Sequence, residues 1–137
     1  MGSPTDHVGQ EVMGPDECNN KLAATPVGRV AFIADGDLTI LPINYRFHEG
    51  TIVFRTASGS KLEAAGRHSP IAFEIDGWDA EAHTGWSVLV KGVALEALAD
   101  DEADWEYGLD LKPWSEVVER RYWVRIRPDE ITGRKIV

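Results

Sequence analysis

The side chains best suited to chemistry lie together in residues 51–66 (TIVFRTASGSKLEAAG). Residues 51–56 predict a strand because almost every position is β-branched or aromatic, and a short helix is predicted to start near Ser58 and to end before Gly66. Free backbone N–H groups and the positive end of the helix dipole favour an anion at such a corner. Two cations and three hydroxyl groups stand here: Arg55, Thr56, Ser58, Ser60 and Lys61. The pattern therefore indicates either a phosphate site or a solvated polar turn.

The charge around Lys61 runs against the charge of the whole chain. The 137 residues carry a net charge of −9 with a sequence pI of about 4.8, whereas residues 51–61 contain no acidic side chain. Lys61 also falls in the first helical turn, where a cation opposes the helix dipole at a cost of a few tenths of a kcal/mol. A bound phosphate would explain that placement. The overall acidity argues against nucleic acid and anionic membranes as partners, because both require a basic face.

The side chains that commonly catalyse reactions form no set in this sequence. The four histidines, at positions 7, 48, 68 and 83, are not spaced as metal ligands on one element, so no metal site is predicted. Cys18 is the single cysteine and falls on the apolar stripe of a predicted helix, which is typical of a core residue. No nucleophile elbow, P-loop or dinucleotide-binding motif occurs. The chemistry is therefore predicted to come from a bound cofactor that the protein positions.

Two further segments could contact a flat ring. Pro42 interrupts a predicted strand and so favours a strand edge or a bulge, where backbone groups and the Asn44 amide could bond a heterocycle. Trp86 could cover a ring face, and Ser87 could donate a hydrogen bond to it. The alternatives are that Pro42 protects an edge strand from aggregation and that Trp86 is a core residue. Composition alone leaves both alternatives open.

The remaining pattern predicts the fold that positions these residues. Residues 1–14 are polar and aperiodic and predict a flexible tail, whereas residues 15–137 predict one domain. Pro15 starts a helix that runs to about Ala24. Strands are predicted at residues 27–34, 38–47, 51–56, 70–76, 85–98 and 121–127, followed by a turn and a final strand. Short helices are predicted in residues 100–108 and 113–119.

The turn signals indicate how these strands connect. Asp35-Gly36 and the Glu49-Gly50 segment predict tight hairpins, and Gly92 predicts a bulge or sharp bend within its strand. About six strands at short spacing, with short helices in the gaps, predict a small and mostly antiparallel barrel. With one cysteine, no signal peptide and no membrane-spanning apolar run, the expected location is cytoplasmic.

Several of these segments match a known family in order and separation. The motifs are GRVAF (28–32), LPINYRF (41–47), TIVFRTASGSKL (51–62), FEID (73–76), TGWSVLVKG (84–92) and ITGR (131–134). Together they resemble the pyridoxamine 5′-phosphate oxidase-like proteins, and more narrowly the short flavin-binding branch that includes nitroimidazole-reductase-like proteins. The resemblance extends from about residue 22 to the C-terminus. It implies a six-stranded antiparallel split β-barrel and a homodimer with FMN at the subunit interface.

The resemblance assigns residues to both ends of the flavin. It implies that the phosphate is held by Arg55, Thr56, Ser60 and Lys61. It assigns six residues to the isoalloxazine end: Pro42, Ile43, Asn44, Phe54, Trp86 and Ser87. The first three would lie along the ring with Phe54 beside it, and Trp86 and Ser87 would close the site at the dimer interface.

The function expected from this resemblance is an FMN-dependent oxidoreductase that passes a hydride or electrons to a small-molecule acceptor. A non-catalytic flavin-binding or storage protein is an alternative, and a deazaflavin cofactor is another because it also offers a phosphate and a tricyclic ring. The C-terminal region lacks the substrate-binding arginine and histidine pattern of true pyridoxamine phosphate oxidases, so vitamin B6 oxidation is not expected. No side chain is assigned as a catalytic acid or base.

Overall fold

A computed structural model describes residues 10–57, 69–99 and 121–136 of the chain. Over these ranges the chain forms one helix and seven strands. In chain order they are β1 (Glu11–Met13), α1 (Pro15–Ala24), β2 (Val27–Ala34), β3 (Asp37–His48), β4 (Thr51–Ala57), β5 (Pro70–Asp79), β6 (Thr84–Ala99) and β7 (Arg121–Ile136). The helices predicted in residues 58–66, 100–108 and 113–119 lie outside the described residues.

The strands form an antiparallel ring. Their order is β1-β7-β4-β3-β2-β5-β6, and a further pairing of β6 with β7 closes β2 to β7 into a six-stranded barrel. The predicted six-stranded antiparallel barrel is confirmed. No helix in the described ranges is both long enough and apolar enough to cross a bilayer.

Strand β1 adds a seventh strand outside the ring. Glu11–Met13 fell within the segment predicted as a flexible tail, yet they pair with β7 from Lys135 to Gly133. Met13 is buried in the core, and Glu11 approaches the Lys135 ammonium at 4.0 Å. Three residues are too few to show a strand period, which is why the sequence did not reveal this pairing.

Helix α1 begins and ends as its sequence predicts. Pro15 occupies the first turn, where its missing N–H costs no hydrogen bond, and acidic residues follow it. The helix ends at Ala24 because Thr25 is extended, and the Thr25 hydroxyl donates to the Lys21 carbonyl oxygen at 2.8 Å. Cys18 and Leu22 are buried. The helix packs its apolar stripe against β3, β6 and β7.

Two hairpins have the tight turns that the sequence predicts. Asp35 and Gly36 have φ angles of 53° and 80°, and Glu49 and Gly50 have φ angles of 49° and 77°. Both residues of each turn are therefore left-handed, which matches the right-handed twist of the flanking strands. These turns fix the register of β2 with β3 and of β3 with β4.

Strand β7 is longer than predicted. The turn and separate final strand expected after residue 127 are wrong, because β7 runs without interruption from Arg121 to Ile136. Pro128 is accommodated at a bulge, where the register with β6 shifts between Lys91 and Gly92. The bulge predicted at Gly92 is present, and it lets proline remain inside a paired strand.

Alternate side chains of each strand fill the barrel. The largest buried residues of this core are Tyr45, Phe54, Phe73, Leu22, Ile52, Ile75 and Ile126. Tyr45 and Phe73 pack edge to face with ring centroids 4.7 Å apart. The Tyr45 hydroxyl donates to the Leu22 carbonyl oxygen at 2.7 Å, which ties α1 to β3. Burial raises the pKa of Tyr45, so the hydroxyl stays neutral and remains a donor.

Candidate functional site

The outer face of β4 and β7 carries two arginines side by side. Val53 pairs with Arg125, and Arg55 pairs with Trp123, so all four side chains share one face. The intervening Phe54 points into the barrel core. We call this set of four residues the arginine face. Val53 and Trp123 have no exposed surface although they lie outside the core of the barrel, whereas Arg55 and Arg125 are partly exposed.

The arginine face contains one buried donor, on Arg125, that can bind an anion. The Arg55 guanidinium lies over the Trp123 ring, with its carbon 5.1 Å from the ring centroid. The Nε atom of Arg125 is buried and has no hydrogen-bond partner within the part of the chain that the structure describes. Leaving a buried charged donor unpaired costs about 1–3 kcal/mol or more, so native proteins usually pair such a group. A phosphate has acceptor oxygens of the charge and geometry that guanidinium groups bind best.

The β3 segment expected along a flat ring lies beside this face. Asn44 precedes the buried Tyr45 that pairs with Phe54, so the Asn44 side chain points outward on the side of Arg55. In the described structure β3 pairs with β4 only at residues 45–48, so Pro42 and Asn44 have β2 alone as a paired neighbour. The prediction that Pro42 marks a strand edge is confirmed. This edge leaves backbone groups of β3 available to a ligand.

Two of the residues predicted to contact the ring, Ile43 and Phe54, point their side chains into the barrel core. Phe54 is fully buried in the barrel, and Ile43 packs against the same core. Their side chains therefore face away from the arginine face, and only their backbone atoms are available to a ligand on the outside. A period of two residues along a strand sends neighbours to opposite faces, so Ile43 and Asn44 cannot both present side chains to one ring.

Trp86 and Ser87 lie on a different wall of the barrel. They belong to β6, whose neighbours are β5 and β7, and are therefore not adjacent to β3 or β4 within one chain. Trp86 packs against the core with the Lys21 ammonium 4.5 Å from its ring centroid. Ser87 points to the outside, where it pairs with Asp76 and Arg134. Within one chain the structure brings together Asn44 and the arginine face, and it does not bring Trp86 or Ser87 to them.

Three predicted phosphate contacts cannot be placed with their side chains. Thr56 belongs to β4, but its side chain lies outside the described part, as do Ser60 and Lys61. Their assignment to a phosphate stays a prediction.

Sequence reasoning missed Arg125 and Trp123. In RYWVRIR the arginines at 125 and 127 look alike, and alternation predicts that both are solvated. Arg127 is half exposed and lies 3.5 Å from Asp129, whereas the Nε atom of Arg125 is buried. No signal in the sequence separates the two, because burial on the outer face depends on what packs over it.

The described ranges contain no metal-binding cluster and no activated cysteine. No cluster of three or more histidine, cysteine or acidic side chains there could hold a metal ion. Burial raises the pKa of the Cys18 thiol, and the neighbouring Glu17 carboxylate adds to that rise. A raised pKa keeps the sulfur protonated and a poor nucleophile. Cys18 is therefore a core residue, as its place on the helix stripe predicts.

Three ionisable side chains form a cluster on the outer face of β2 and β5. One guanidinium nitrogen of Arg29 contacts the Glu74 carboxylate at 3.3 Å and the Asp76 carboxylate at 3.1 Å. Burial raises the pKa of Glu74 to about 7, and the hydrogen bond and charge of Asp76 add to the rise. Arg29 opposes the shift but does not cancel it. Glu74 is therefore partly protonated near neutral pH.

We expect Glu74→Gln to become more stable relative to the unsubstituted protein as pH rises from 5 to 8. Between about pH 4.5 and 7 the folded chain holds a proton on Glu74 that the unfolded chain has lost, so rising pH costs stability. Because the side chain is one-third exposed, solvent screening limits the effect to about 1 kcal/mol. Urea unfolding of both proteins at the two pH values measures it. The exposed Glu81→Gln is the control, and a pH-independent difference for Glu74→Gln would contradict the expectation.

Several known proteins are similar to this chain in sequence and in fold. The profile of the pyridoxamine 5′-phosphate oxidase family matches residues 14–135. An uncharacterised protein of Mycobacterium tuberculosis, Rv0080, is 35% identical over 127 residues, which are 89% of this chain and 82% of that protein. An FAD-binding protein from Mycobacterium smegmatis superimposes with a TM-score of 0.74 at 37% identity, covering 92% of this chain and 99% of that chain. A candidate pyridoxamine 5′-phosphate oxidase from Corynebacterium glutamicum has a TM-score of 0.73 at 30% identity, covering 93% of each chain.

The fold and the arginine face define a small antiparallel barrel protein with a site suited to an anionic ligand. Within that class, the chain belongs to the pyridoxamine 5′-phosphate oxidase family, because the family profile spans nearly its whole length. The family predicted from the TASGSKL and GWSVLVKG motifs is confirmed.

Proposed function

We propose that this protein binds a flavin nucleotide and uses it as an oxidoreductase. The observation that carries the proposal is the buried Nε atom of Arg125, which has no hydrogen-bond partner among the described residues and lies on the same face as Arg55. The Arg125 donor suits an anion, and Asn44 lies on the adjoining edge of β3, beside which a flat ring can lie. The FAD-binding relative at 37% identity supports a flavin as the molecule that combines both features.

The chemistry and the binding have separate sources. A bound flavin supplies hydride or electron transfer to a small acceptor. In this proposal, Arg55 and Arg125 neutralise the charge of the phosphate. The Asn44 amide is placed to hydrogen-bond the edge of the ring. FMN is the cofactor predicted from the sequence motifs, FAD is the flavin bound by the M. smegmatis relative, and a deazaflavin shares the same two recognition elements.

We further propose a homodimer in which Trp86 and Ser87 of one subunit close the site of the other. Those two residues lie on a wall remote from β3 within one chain, so a contribution to the same site requires a second copy. Three large apolar side chains on the outer face of the β2–β3 hairpin support an interface: Ile33, Leu38 and Ile40 are 61%, 79% and 64% exposed. Sedimentation equilibrium is expected to give twice the monomer mass, and a monomer at micromolar concentration would overturn this proposal.

We expect Arg125→Met to weaken FMN binding by about 1.5–3 kcal/mol, the cost of losing a hydrogen bond to a charged group. Arg55→Met and Lys61→Ala are expected to act in the same direction. Fluorescence titration of flavin-free protein with FMN, FAD and riboflavin measures the effect. Because riboflavin lacks a phosphate, its affinity is expected to change little.

The matched control for this titration is Arg127→Met, since Arg127 lies two residues further along the same strand and is half exposed. Equal losses for FMN and riboflavin in Arg125→Met would place the phosphate elsewhere. A protein that binds no flavin at all would overturn the proposed function.

Turnover separates the oxidoreductase from a flavin carrier. In the described residues the site holds no evident acid–base pair, so a storage protein is the second candidate. Stopped-flow reduction of the purified protein by NADH, NADPH and a reduced deazaflavin tests both. We expect at least one donor to reduce the bound flavin faster than it reduces free flavin, and failure of all three would favour storage. The predicted cytoplasmic location stays a prediction.

A further inference from the structure

The cluster of Arg29, Glu74 and Asp76 lies between two sets of side chains that the proposed dimer contact covers. Strands β3, β2, β5 and β6 are neighbours in that order. The exposed apolar side chains of the β2–β3 hairpin lie on one side of their shared outer face, and Ser87 of β6 lies on the other. Because neighbouring strands are about 4.8 Å apart, the two sets are separated by about 14 Å across the strands. A contact that covers both sets therefore also covers the cluster.

The surface beside the cluster is low and lets a second subunit approach closely. Ala31 pairs with Ala72 across β2 and β5, next to the pair formed by Arg29 and Glu74. Phe73 is buried in the core, so the residues on either side of it along β5 face outward. Because the two alanines are small, a subunit that packs on the apolar side chains of the hairpin also reaches the cluster.

The cluster has two carboxylates for one guanidinium group. One nitrogen of Arg29 contacts Glu74 at 3.3 Å and Asp76 at 3.1 Å. When both carboxylates are ionised, the cluster therefore carries one excess negative charge. The side chains of Arg29, Glu74 and Asp76 are 48%, 34% and 25% exposed, so water still stabilises that charge. A subunit that covers the cluster removes this water, and desolvation disfavours an ionised carboxylate.

The charged groups around Glu74 come from four strands. They are Arg29 on β2, Asp76 on β5, Lys91 on β6 and Arg134 on β7. Arg29 lies directly opposite Glu74, whereas the residue opposite it on β6 is the uncharged Leu89. Burial raises the pKa of Glu74 to about 7, and Asp76 adds to the rise. Glu74 therefore exchanges its proton in the neutral range before any partner covers it.

We propose that the Arg29–Glu74–Asp76 cluster lies inside the subunit contact and links dimer assembly to proton uptake, with Glu74 taking the proton from solvent when two subunits associate. This inference rests on the proposed homodimer. A contact between two identical faces contains two copies of the cluster, so the linkage acts twice in each dimer. Covering the cluster favours neutral Glu74, and the dimer is therefore stronger at pH 6 than at pH 8.

Sedimentation equilibrium of the full chain at pH 6, 7 and 8 measures the dimer dissociation constant. We expect this constant to increase about tenfold from pH 6 to pH 8, because both copies of Glu74 hold their protons more tightly in the dimer. Glu74→Gln keeps the size of the side chain but has no proton to exchange. Its dissociation constant is expected to change by less than about twofold over the same range.

Dilution calorimetry at pH 7 tests the linkage without a substitution. Dissociation of the dimer is expected to release about one proton, so the heat measured in phosphate and in Tris differs by the difference in their ionisation enthalpies. Glu81→Gln is the matched control for Glu74→Gln, because Glu81 lies in the exposed turn between β5 and β6. It is expected to keep the pH dependence of the unsubstituted protein.

Three results would overturn the inference and leave the homodimer standing: equal dissociation constants at pH 6 and pH 8, a pH dependence that survives Glu74→Gln, or heats that do not depend on the buffer. The second result would assign the linkage to other titrating groups, such as the histidines. A chain that is monomeric at all three pH values would overturn the homodimer and this inference together. Flavin binding is measured separately by the fluorescence titration, so its failure is distinguishable from either outcome.

Discussion

Replacing Trp123 with alanine is expected to lower the free energy of unfolding by about 3–5 kcal/mol, the range for removing a buried aromatic side chain. Trp123 is fully buried, yet it lies on the outer face of β7 rather than in the barrel core. The Arg55 guanidinium packs over its ring at 5.1 Å, so the substitution removes both the packing and the support of that cation. Flavin affinity is therefore expected to fall together with stability.

Urea unfolding with an unchanged denaturant slope measures the loss in stability. Trp78→Ala is the matched control, since the Trp78 side chain is 75% exposed, and its loss is expected to stay within about 0.5 kcal/mol. Trp123→Phe retains an aromatic ring under Arg55 and is expected to lose less stability than the alanine variant. Equal destabilisation by Trp123→Ala and Trp78→Ala would show that the outer face of β7 is not a packed layer.

Gly92→Ala is expected to destabilise the barrel by about 3 kcal/mol or to prevent folding, as overpacking against a rigid partner does. A Cβ atom at this position would lie 2.0 Å from the Arg127 carbonyl oxygen and 3.2 Å from the Pro128 Cα atom. Both neighbours are backbone of β7, so no side-chain rotation can relieve the contact. The strain falls on the β6–β7 pairing, which is the one that closes the ring. Thermal and urea unfolding measure the effect.

Gly14→Ala is the control for this substitution. An added Cβ at Gly14 meets no atom within 4 Å, and the position is the N-cap of α1 with extended backbone. The expected loss there is below about 1 kcal/mol, because alanine caps a helix less well than glycine. If the two alanine variants unfold at the same denaturant concentration, the bulge at Gly92 does not require glycine.

The local elements of this protein could be predicted because their causes are local. Asp35-Gly36 turns the chain by itself, since both residues adopt left-handed angles that few other pairs tolerate. Pro15 starts α1, and the β-branched runs define β2 and β4. Strand β1 and the continuous β7 were missed because each depends on a distant partner. Glu11–Met13 form a strand only beside β7, and Pro128 remains in a strand only because Gly92 faces it.

For the candidate site too, some features follow from local sequence and others depend on distant parts of the chain. The sequence by itself determined the antiparallel barrel and the family, because period, turn residues and motif spacing are properties of neighbouring positions. It also predicted Arg55 and the Pro42–Asn44 edge as ligand contacts, which stays a prediction. Only the tertiary structure decided that Phe54 and Ile43 point inward and that Trp86 and Ser87 lie on another wall. It also decided that the Nε atom of Arg125 is buried, whereas the Arg127 side chain is half exposed. The physical reason is that burial and charge pairing are set by residues far apart in the chain, which strand closure brings together.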